Sequence, residues 1–431
     1  MTSDQAPKSD LDVTALHQAL VDDLKRTGVL VSPEIEAAFR AIPRHLFLPT
    51  TPLEDVYRDA AVMTKLENQA PVSSSSQPSM MALMLEQLEL EPGHRVLEIG
   101  AGTGFNAALM AHIVGETGDV VTVDIDEDLV EAARRQLEAA GYQRVRVVTA
   151  DGGSGYEPRA PYDRIVLTVG TPDIAPAWLE QLKPGGRLLA PLSITETGTA
   201  KSIAFVRCAG HLESVSIKDC AFIMLRGAFA APAAQPRPIG PEPGLLYREF
   251  RAGEAKPEPD IYQILTSEAV EVASGLDSTT GELFSRFLTW LVLQPTGRGI
   301  QGCSVTATGP QVDRGLVPYL AGQRGRVCAS IGIVSAGSLA LLMRSPSSGP
   351  PAESPAEDPP FELYIRSYGK GGAAAAQLGS LLREWDAAGR PPDSKVTRVR
   401  AYPRTAGYIP LPGELVADKP NVRLVIDWTG S

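Results

Sequence analysis

Between residues 95 and 230, short β-branched runs alternate with longer stretches in which apolar residues recur every three or four positions. Arg95-Val-Leu-Glu-Ile99, Val120–Asp124, Val145–Thr149, Arg164–Val169 and Arg187–Ala190 predict strands, because short apolar runs bounded by turn residues suit a sheet buried on both faces. Asn106–Val114, Leu129–Ala140 and a segment closing at Trp178–Leu182 predict helices. Strands separated by helix-length segments predict a parallel sheet with helices on both faces. The stretches 202–208 and 214–226 predict an antiparallel pair finishing that sheet, and 11–26 and 32–41 predict helices packed outside it.

Proline interrupts this pattern. Residues 230–243 carry prolines that remove backbone donors and fix φ, so no helix or central strand is expected there. A second Pro-rich stretch, 345–360, predicts a flexible insertion, and 403–413 a loop. The resulting division is an α/β catalytic domain over 1–230, a linker over 231–243 and an α+β domain over 244–431. In the last, Ser285–Leu293 predicts a buried helix or strand and Ala373–Ala388 a helix. Val327–Val334, Leu339–Arg344, Phe361–Tyr368, Val396–Tyr402 and Val422–Trp428 predict strands.

Composition narrows the function classes. A chain of 431 residues with 43% hydrophobic residues exceeds one compact core and excludes wholesale disorder. A net charge of −11 argues against a nucleic-acid backbone as the main partner, although Arg398–Arg404 is locally basic. No apolar run approaches the roughly 20 residues that span a bilayer, and Met1-Thr-Ser-Asp lacks the basic-then-apolar pattern of a secretory signal. The 4 cysteines are scattered without a CxxC pair, so neither a disulfide framework nor metal-site spacing is expected. The expectation is a cytoplasmic enzyme with no structural metal and no membrane or nucleic-acid partner.

The densest chemical signal is Val96-Leu-Glu-Ile-Gly-Ala-Gly-Thr-Gly104. Gly100, Gly102 and Gly104 lie between a strand and a helix, where a sharp turn lets a ligand approach the backbone. A dinucleotide fingerprint would need glycine at 105, which is Phe105. The spacing suits a methionine-derived cofactor, which carries no pyrophosphate. Asp124 closes the next strand and can accept both ribose hydroxyls; Asp151-Gly152 closes the third, where the adenine edge would lie. The cofactor set is Glu98, Gly100, Ala101, Gly102, Thr103, Gly104, Asp124, Ile125, Asp151 and Gly152, at the carboxyl ends of neighbouring strands.

Residues 15–230 resemble the protein-L-isoaspartate O-methyltransferase family. The resemblance is carried by Pro43-Arg-His-Leu-Phe-Leu-Pro49, Gln77-Pro-Ser-Met80, Val96–Gly104, Asp151-Gly152, Ala160-Pro-Tyr-Asp-Arg-Ile-Val166 and Gln181-Leu-Lys-Pro-Gly-Gly-Arg-Leu-Leu-Ala-Pro191. It implies a Rossmann-like methyltransferase fold with a rearranged sheet edge, and S-adenosyl-L-methionine as cofactor. It also implies a serine hydroxyl near the methylated carboxylate, in a segment that here reads Gln69-Ala-Pro-Val-Ser-Ser-Ser-Ser-Gln-Pro-Ser-Met80. Anchoring on Pro78 and Met80 puts Ser76 in the serine's place; anchoring on Gln69 puts Ser73 there, with Ser74 between them. A carboxylate is ionised at neutral pH, so alignment with an activated methyl needs no strong base.

The added ~200 residues exceed one typical small domain. With the serine run, Gly407-Tyr-Ile-Pro-Leu-Pro412 and Arg423-Leu-Val-Ile-Asp-Trp428, they resemble a subgroup that accompanies ribosomally made, modified peptides such as lanthipeptides, including the FxLD group. That resemblance implies methylation of one aspartate in a cyclised precursor peptide, the ester closing to a succinimide and then isoaspartate, with residues 244–431 recognising the substrate. The alternative is isoaspartyl repair. A base methyltransferase is disfavoured because Leu167-Thr-Val-Gly-Thr-Pro-Asp173 stands where an Asn/Asp-Pro-Pro-Tyr/Phe loop would be. A non-catalytic peptide-binding module is disfavoured by the intact glycine and aspartate set.

Overall fold

A computed structural model describes all residues except 1–11, 68–69, 195–199, 231–235, 251–259, 293–299, 323–325, 347–357, 370, 391–395, 412–413 and 429–431. Part of the expected linker and most of the expected 345–360 insertion therefore lie outside the described residues. Helices Val13–Arg26 and Pro33–Ala41 lead in, held to the body by Leu20, Leu24 and Phe39, which packs edge-on against Phe105. A hairpin of β1 (Val62–Glu67) and β2 (Ala70–Ser75) follows, in a stretch for which the hydrophobic pattern predicts no strand. Its exposed residues include the apolar Met63 and Leu66 while the buried ones include Ser73 and Ser75, so no apolar face repeats with period 2.

The main sheet begins with β3 (Arg95–Ile99), β4 (Asp119–Asp124), β5 (Arg146–Thr149), β6 (Tyr162–Leu167) and β7 (Leu182–Ser193). These pair in parallel in the order β5-β4-β3-β6-β7. Antiparallel β8 (Ala200–Cys208) and β9 (His211–Asp219) continue from β7. Alternation along each strand sends Val96 and Val166 into the core under the helices Pro78–Leu88 and Phe105–Val114, and Leu97, Ile99, Ile165 and Leu167 into the opposite core.

The second expected strand of the finishing pair, 214–226, is corrected at its end. Residues 220–226 leave the sheet and turn back over the carboxyl ends of the parallel strands. There Gly170 N–H donates to Ile223 O at 2.8 Å and Leu225 N–H to Gly170 O at 2.8 Å. Cys220-Ala-Phe-Ile-Met-Leu225 is apolar because it covers the sheet's end, not because it pairs along it.

A second sheet comprises β10 (Arg237–Pro238), β11 (Leu245–Glu249), β12 (Ala269–Ser278), β13 (Gln301–Thr308), β14 (Val327–Ser335), β15 (Ser338–Arg344) and β16 (Phe361–Tyr368). It is antiparallel throughout, in the order β10-β11-β13-β14-β15-β16-β12. Proline enters it at Pro238, on an edge, where a missing donor is tolerated. The helix Ala373–Ala387 covers one face through Leu378, Leu382 and Trp385.

The last three strands correct the expected boundary of 244–431. β17 (Val396–Pro403), β18 (Leu415–Asp418) and β19 (Val422–Trp428) join the first sheet, which runs β18-β19-β17-β9-β8-β7-β6-β3-β4-β5. β17 sets Arg400 opposite Glu213 and Ala401 opposite Leu212. Val399, Ala401, Val422, Leu424 and Ile426 enter the same core as Leu97 and Ile165. The basic stretch 398–404 lies in this addition, its arginines paired with Glu213, Glu414, Asp427 and Asp418. Among the described residues no helix is long and apolar enough to cross a membrane.

Candidate functional site

A cavity of about 420 Å³ opens at the carboxyl ends of β3, β4 and β6, within the range of about 300–1,000 Å³ usual for small-molecule sites. The Gly-rich loop and Asp124-Ile125 form one wall. The β2 serines and residues 221–226 form the other. The loop fits because it lacks Cβ atoms. At Gly100, with φ of 102°, a Cβ would stand 2.6 Å from Thr168 Oγ1. At Gly102, with φ of 51°, it would stand 3.4 Å from Ser74 O, across the cavity mouth. Ala101 and Thr103 line the same wall. Gly104 does not; it abuts Leu137 and Ala133 and serves the packing of the helix that starts beside it.

Asp124 is the carboxylate best placed for a ligand. Its Oδ2 accepts from Gly102 N–H at 3.1 Å and its Oδ1 from Asp126 N–H at 3.3 Å, and its side chain lines the cavity. Burial raises its pKa above the ordinary carboxylate value. Ile125 beside it is 38% exposed, leaving an apolar surface at the rim.

Glu98 also borders the cavity, but its carboxyl group is bound within the protein. Asn106 Nδ2 donates to it at 2.7 Å and Thr122 Oγ1 at 2.6 Å, and burial pushes its pKa up to about 7. Asp151 departs further from expectation and does not line the cavity. Its Oδ1 accepts from Gly153 N–H at 2.9 Å and its Oδ2 from Ala228 N–H at 2.7 Å. This carboxylate ties the residues after β5 to the returning segment, while neighbouring Gly152 reaches the cavity.

The structure separates the serines. Strand alternation buries Ser73 and Ser75. Ser73 Oγ accepts from Thr64 at 3.0 Å, and Ser75 Oγ from Arg44 Nη2 at 3.4 Å. All four serines border the cavity, but Ser74 and Ser76 are half-buried and their hydroxyls meet no hydrogen-bond partner among the described residues. Arg44, buried and with its pKa lowered to about 10 by desolvation, also donates to Ser76 O at 3.0 Å. Asp59 accepts from Gln77 Nε2 at 3.1 Å and Ser79 N–H at 2.8 Å, fixing the entry into the helix Pro78–Leu88.

Sequence reasoning missed the rim. Lys65 on β1 meets Asp126 at 3.0 Å and Asp128 at 2.9 Å, and Arg226 meets Asp126 at 2.6 Å. Arg226 and Lys65 together hold the Asp126 carboxyl below its ordinary pKa. Three segments far apart in sequence are thereby joined beside Asp124. No local pattern announces such a pairing; only the apolar run before Arg226 hinted that this segment was covered.

Residues 15–228 match the model of a family described as Protein-L-isoaspartate(D-aspartate) O-methyltransferase. The chain is 42% identical over 179 residues to the protein-L-isoaspartate O-methyltransferase of Methanopyrus kandleri, an alignment covering 41% of this chain and 76% of that protein. It is 43% identical over 175 residues to the enzyme of the same name from Pyrococcus horikoshii, covering 40% and 75%. A solved structure of a protein-L-isoaspartate O-methyltransferase aligns at 24% identity and a TM-score of 0.49, over 90% of this chain and 96% of that one.

Proposed function

Because this chain belongs to the protein-L-isoaspartate O-methyltransferase family, we propose that it methylates the free carboxylate of an isoaspartyl residue in a protein or peptide. It is an S-adenosylmethionine-dependent carboxyl methyltransferase with a Rossmann-like catalytic sheet. The observation that carries the substrate reading is one cavity with two walls, a glycine–aspartate wall on one side and unengaged serine hydroxyls on the other. The cofactor, when bound, supplies a methyl group activated by a sulfonium charge.

The residues present fit that cofactor. Gly100 and Gly102 hold the positive φ values that turn the loop's backbone along the cavity, and Asp124, fixed by two backbone N–H groups, is oriented to accept from a sugar diol. Ser76, with its backbone held by Arg44, donates to the substrate carboxylate, and Ser74 is the second donor. Their task is alignment and exclusion of water, since the nucleophile is already ionised. The subgroup that modifies ribosomal peptides finds no support among these relatives, so methylation of an aspartate in a cyclised precursor gives way to isoaspartyl methylation. Within the same proposal the second sheet adds substrate contact area, so a protein carrying isoaspartate should show a lower KM than a short peptide.

The test is to offer matched peptides containing isoaspartate or aspartate and to follow methyl ester formation by mass spectrometry. Ester on the isoaspartyl peptide alone supports the proposal; ester only on a cyclised aspartyl peptide overturns it. Ser76→Ala should lower kcat roughly 10- to 100-fold, the loss of one hydrogen bond to a charged group, with cofactor affinity unchanged. A loss confined to Ser74→Ala would move the substrate donor by two residues.

A further inference from the structure

We propose that the β8–β9 hairpin binds a single Zn²⁺ ion through Cys208, His211 and Glu213, at the end of the sheet opposite the methyl-transfer cavity. Cys208 and His211 sit directly across the two-residue turn Ala209-Gly210, with Gly210 at φ of 84°. His211 and Glu213, two residues apart on β9, share a face. The thiol, imidazole and carboxylate donor atoms lie within 4.8 Å of one another. Tetrahedral zinc, with bonds of about 2.0–2.3 Å, sets donors about 3.3–3.8 Å apart, a gap that side-chain rotation closes.

His211 Nδ1 lies 3.4 Å from Ala209 O and can donate to that carbonyl, the tautomer in which Nε2 would ligate a metal. Nε2 faces Glu213 Oε2 at 3.6 Å, while Arg398 engages Oε1 at 2.6 Å. The Tyr402 ring stacks on His211 at 5.0 Å and 18°, fixing the imidazole plane. The Arg398 charge beside the site is shared with Asp427. All three ligands are partly exposed, which gives a cation a way in and leaves the fourth position to water. Thiolate, imidazole and carboxylate together favour zinc over the harder Mg²⁺ or Ca²⁺.

The location decides the role. β8 pairs antiparallel with β7 from Ser193↔Ala200 at the cavity end to Arg187↔Val206 at the other, so the hairpin tip is remote from the transferred methyl. It stands where β17 docks on β9. The ion therefore braces the junction between the first strands of the sheet and its late addition, and takes no part in methyl transfer.

The test is titration of the full chain, freed of metal by a chelator, with Co²⁺ as a spectroscopic stand-in. The expected result is one equivalent bound with a near-ultraviolet thiolate-to-cobalt band and visible bands of tetrahedral intensity, all displaced by Zn²⁺. Cys208→Ser should abolish the thiolate band, Cys220→Ser should keep it, and His211→Ala should weaken binding at least tenfold. Zinc should raise the Tm of the wild type and not that of C208S, with methyl transfer unchanged in both. Absence of a stoichiometric thiolate band in the wild type, or its survival in folded C208S, overturns the site. Should C208S not fold, unchanged cobalt affinity in folded H211A overturns it equally.

Discussion

In the first sheet the polar groups converge beyond the carboxyl ends of β3, β4 and β6, whereas in the second the buried hydroxyls serve the sheet's own backbone. Ser330 Oγ donates to Leu342 O at 2.6 Å and Ser338 Oγ to Ser335 O at 2.8 Å, and Ser338 Oγ accepts from Ala374 N–H at 3.1 Å. The cause is connectivity. Parallel strands must return through helices, so their loops gather at one end and build a cleft; antiparallel neighbours turn back at alternate ends and gather nothing. Chemistry and plain packing are thus divided between the sheets, with β17–β19 belonging by sequence to one side and by pairing to the other.

The strongest way to break that division is to remove residues 396–428. Val399, Val422, Leu424 and Ile426 are buried in the first core, each contributing about 1.5–3 kcal/mol. Together that is comparable with a whole domain's margin of about 5–15 kcal/mol. A chain ending at residue 395 should aggregate, measured as the loss of its soluble fraction. A fragment ending near Ala231 lacks the same strands and should fail in the same way. A soluble, cofactor-binding 1–231 fragment would show that the late strands are ornamental.

Next in size is Trp385→Ala in the second sheet's core. Trp385 is buried against Phe287 at 5.3 Å, so its truncation should cost about 3–5 kcal/mol. Denaturant unfolding should show the loss while calorimetry finds cofactor affinity unchanged; a matching fall in affinity would mean that the sheets are coupled. Asp124→Ala should do the reverse, costing on the order of 2–4 kcal/mol of cofactor affinity in a folded protein.

The smallest effect is a pH slope. Burial raises Glu98 from 4.5 to about 7, so the folded state holds a proton that the unfolded state releases first. Its contribution is complete below pH 4.5 and is lost as pH rises to about 7. From about pH 5 to about pH 6.5 the wild type should lose about 2 kcal/mol that Glu98→Gln, neutral throughout, does not lose. Parallel slopes in the two proteins would show that Glu98 is ionised in the fold.

The legibility of the two regions differs for the same physical reason. β3, β4 and β6 announced themselves because strands buried on both faces read as short, mostly apolar and β-branched runs bounded by turn residues, and Gly100–Gly104 by its three alternating glycines. β11, β12 and β13 were not seen: Leu245–Glu249 and Gln301–Thr308 mix Thr, Ser and charged residues with apolar ones, and β12 is exposed along most of its length. The contacts of Asp151 were not legible because a carboxylate after a strand looks the same whether it meets a ligand or the backbone of Gly153 and Ala228. The division between Ser73 and Ser74 needed the β1–β2 hairpin, whose alternation decides which hydroxyls are already bonded.

Asp173 carries a consequence for the order in which the molecule is made. Its Oδ2 accepts from Asn421 N–H at 2.7 Å and Asn421 Nδ2 at 2.8 Å, a contact between residues 248 positions apart. Asp173 follows Thr168 and Val169, which line the cavity. During synthesis β9 therefore waits as an open edge while the whole second sheet is translated, and the loop around Asp173 stays unanchored for the same interval. An unpaired strand edge is a template for wrong partners, and contacts of such long sequence separation form late. A growing chain of this design depends on its second sheet folding promptly on its own, so that the three strands beyond it can reach home before another molecule does.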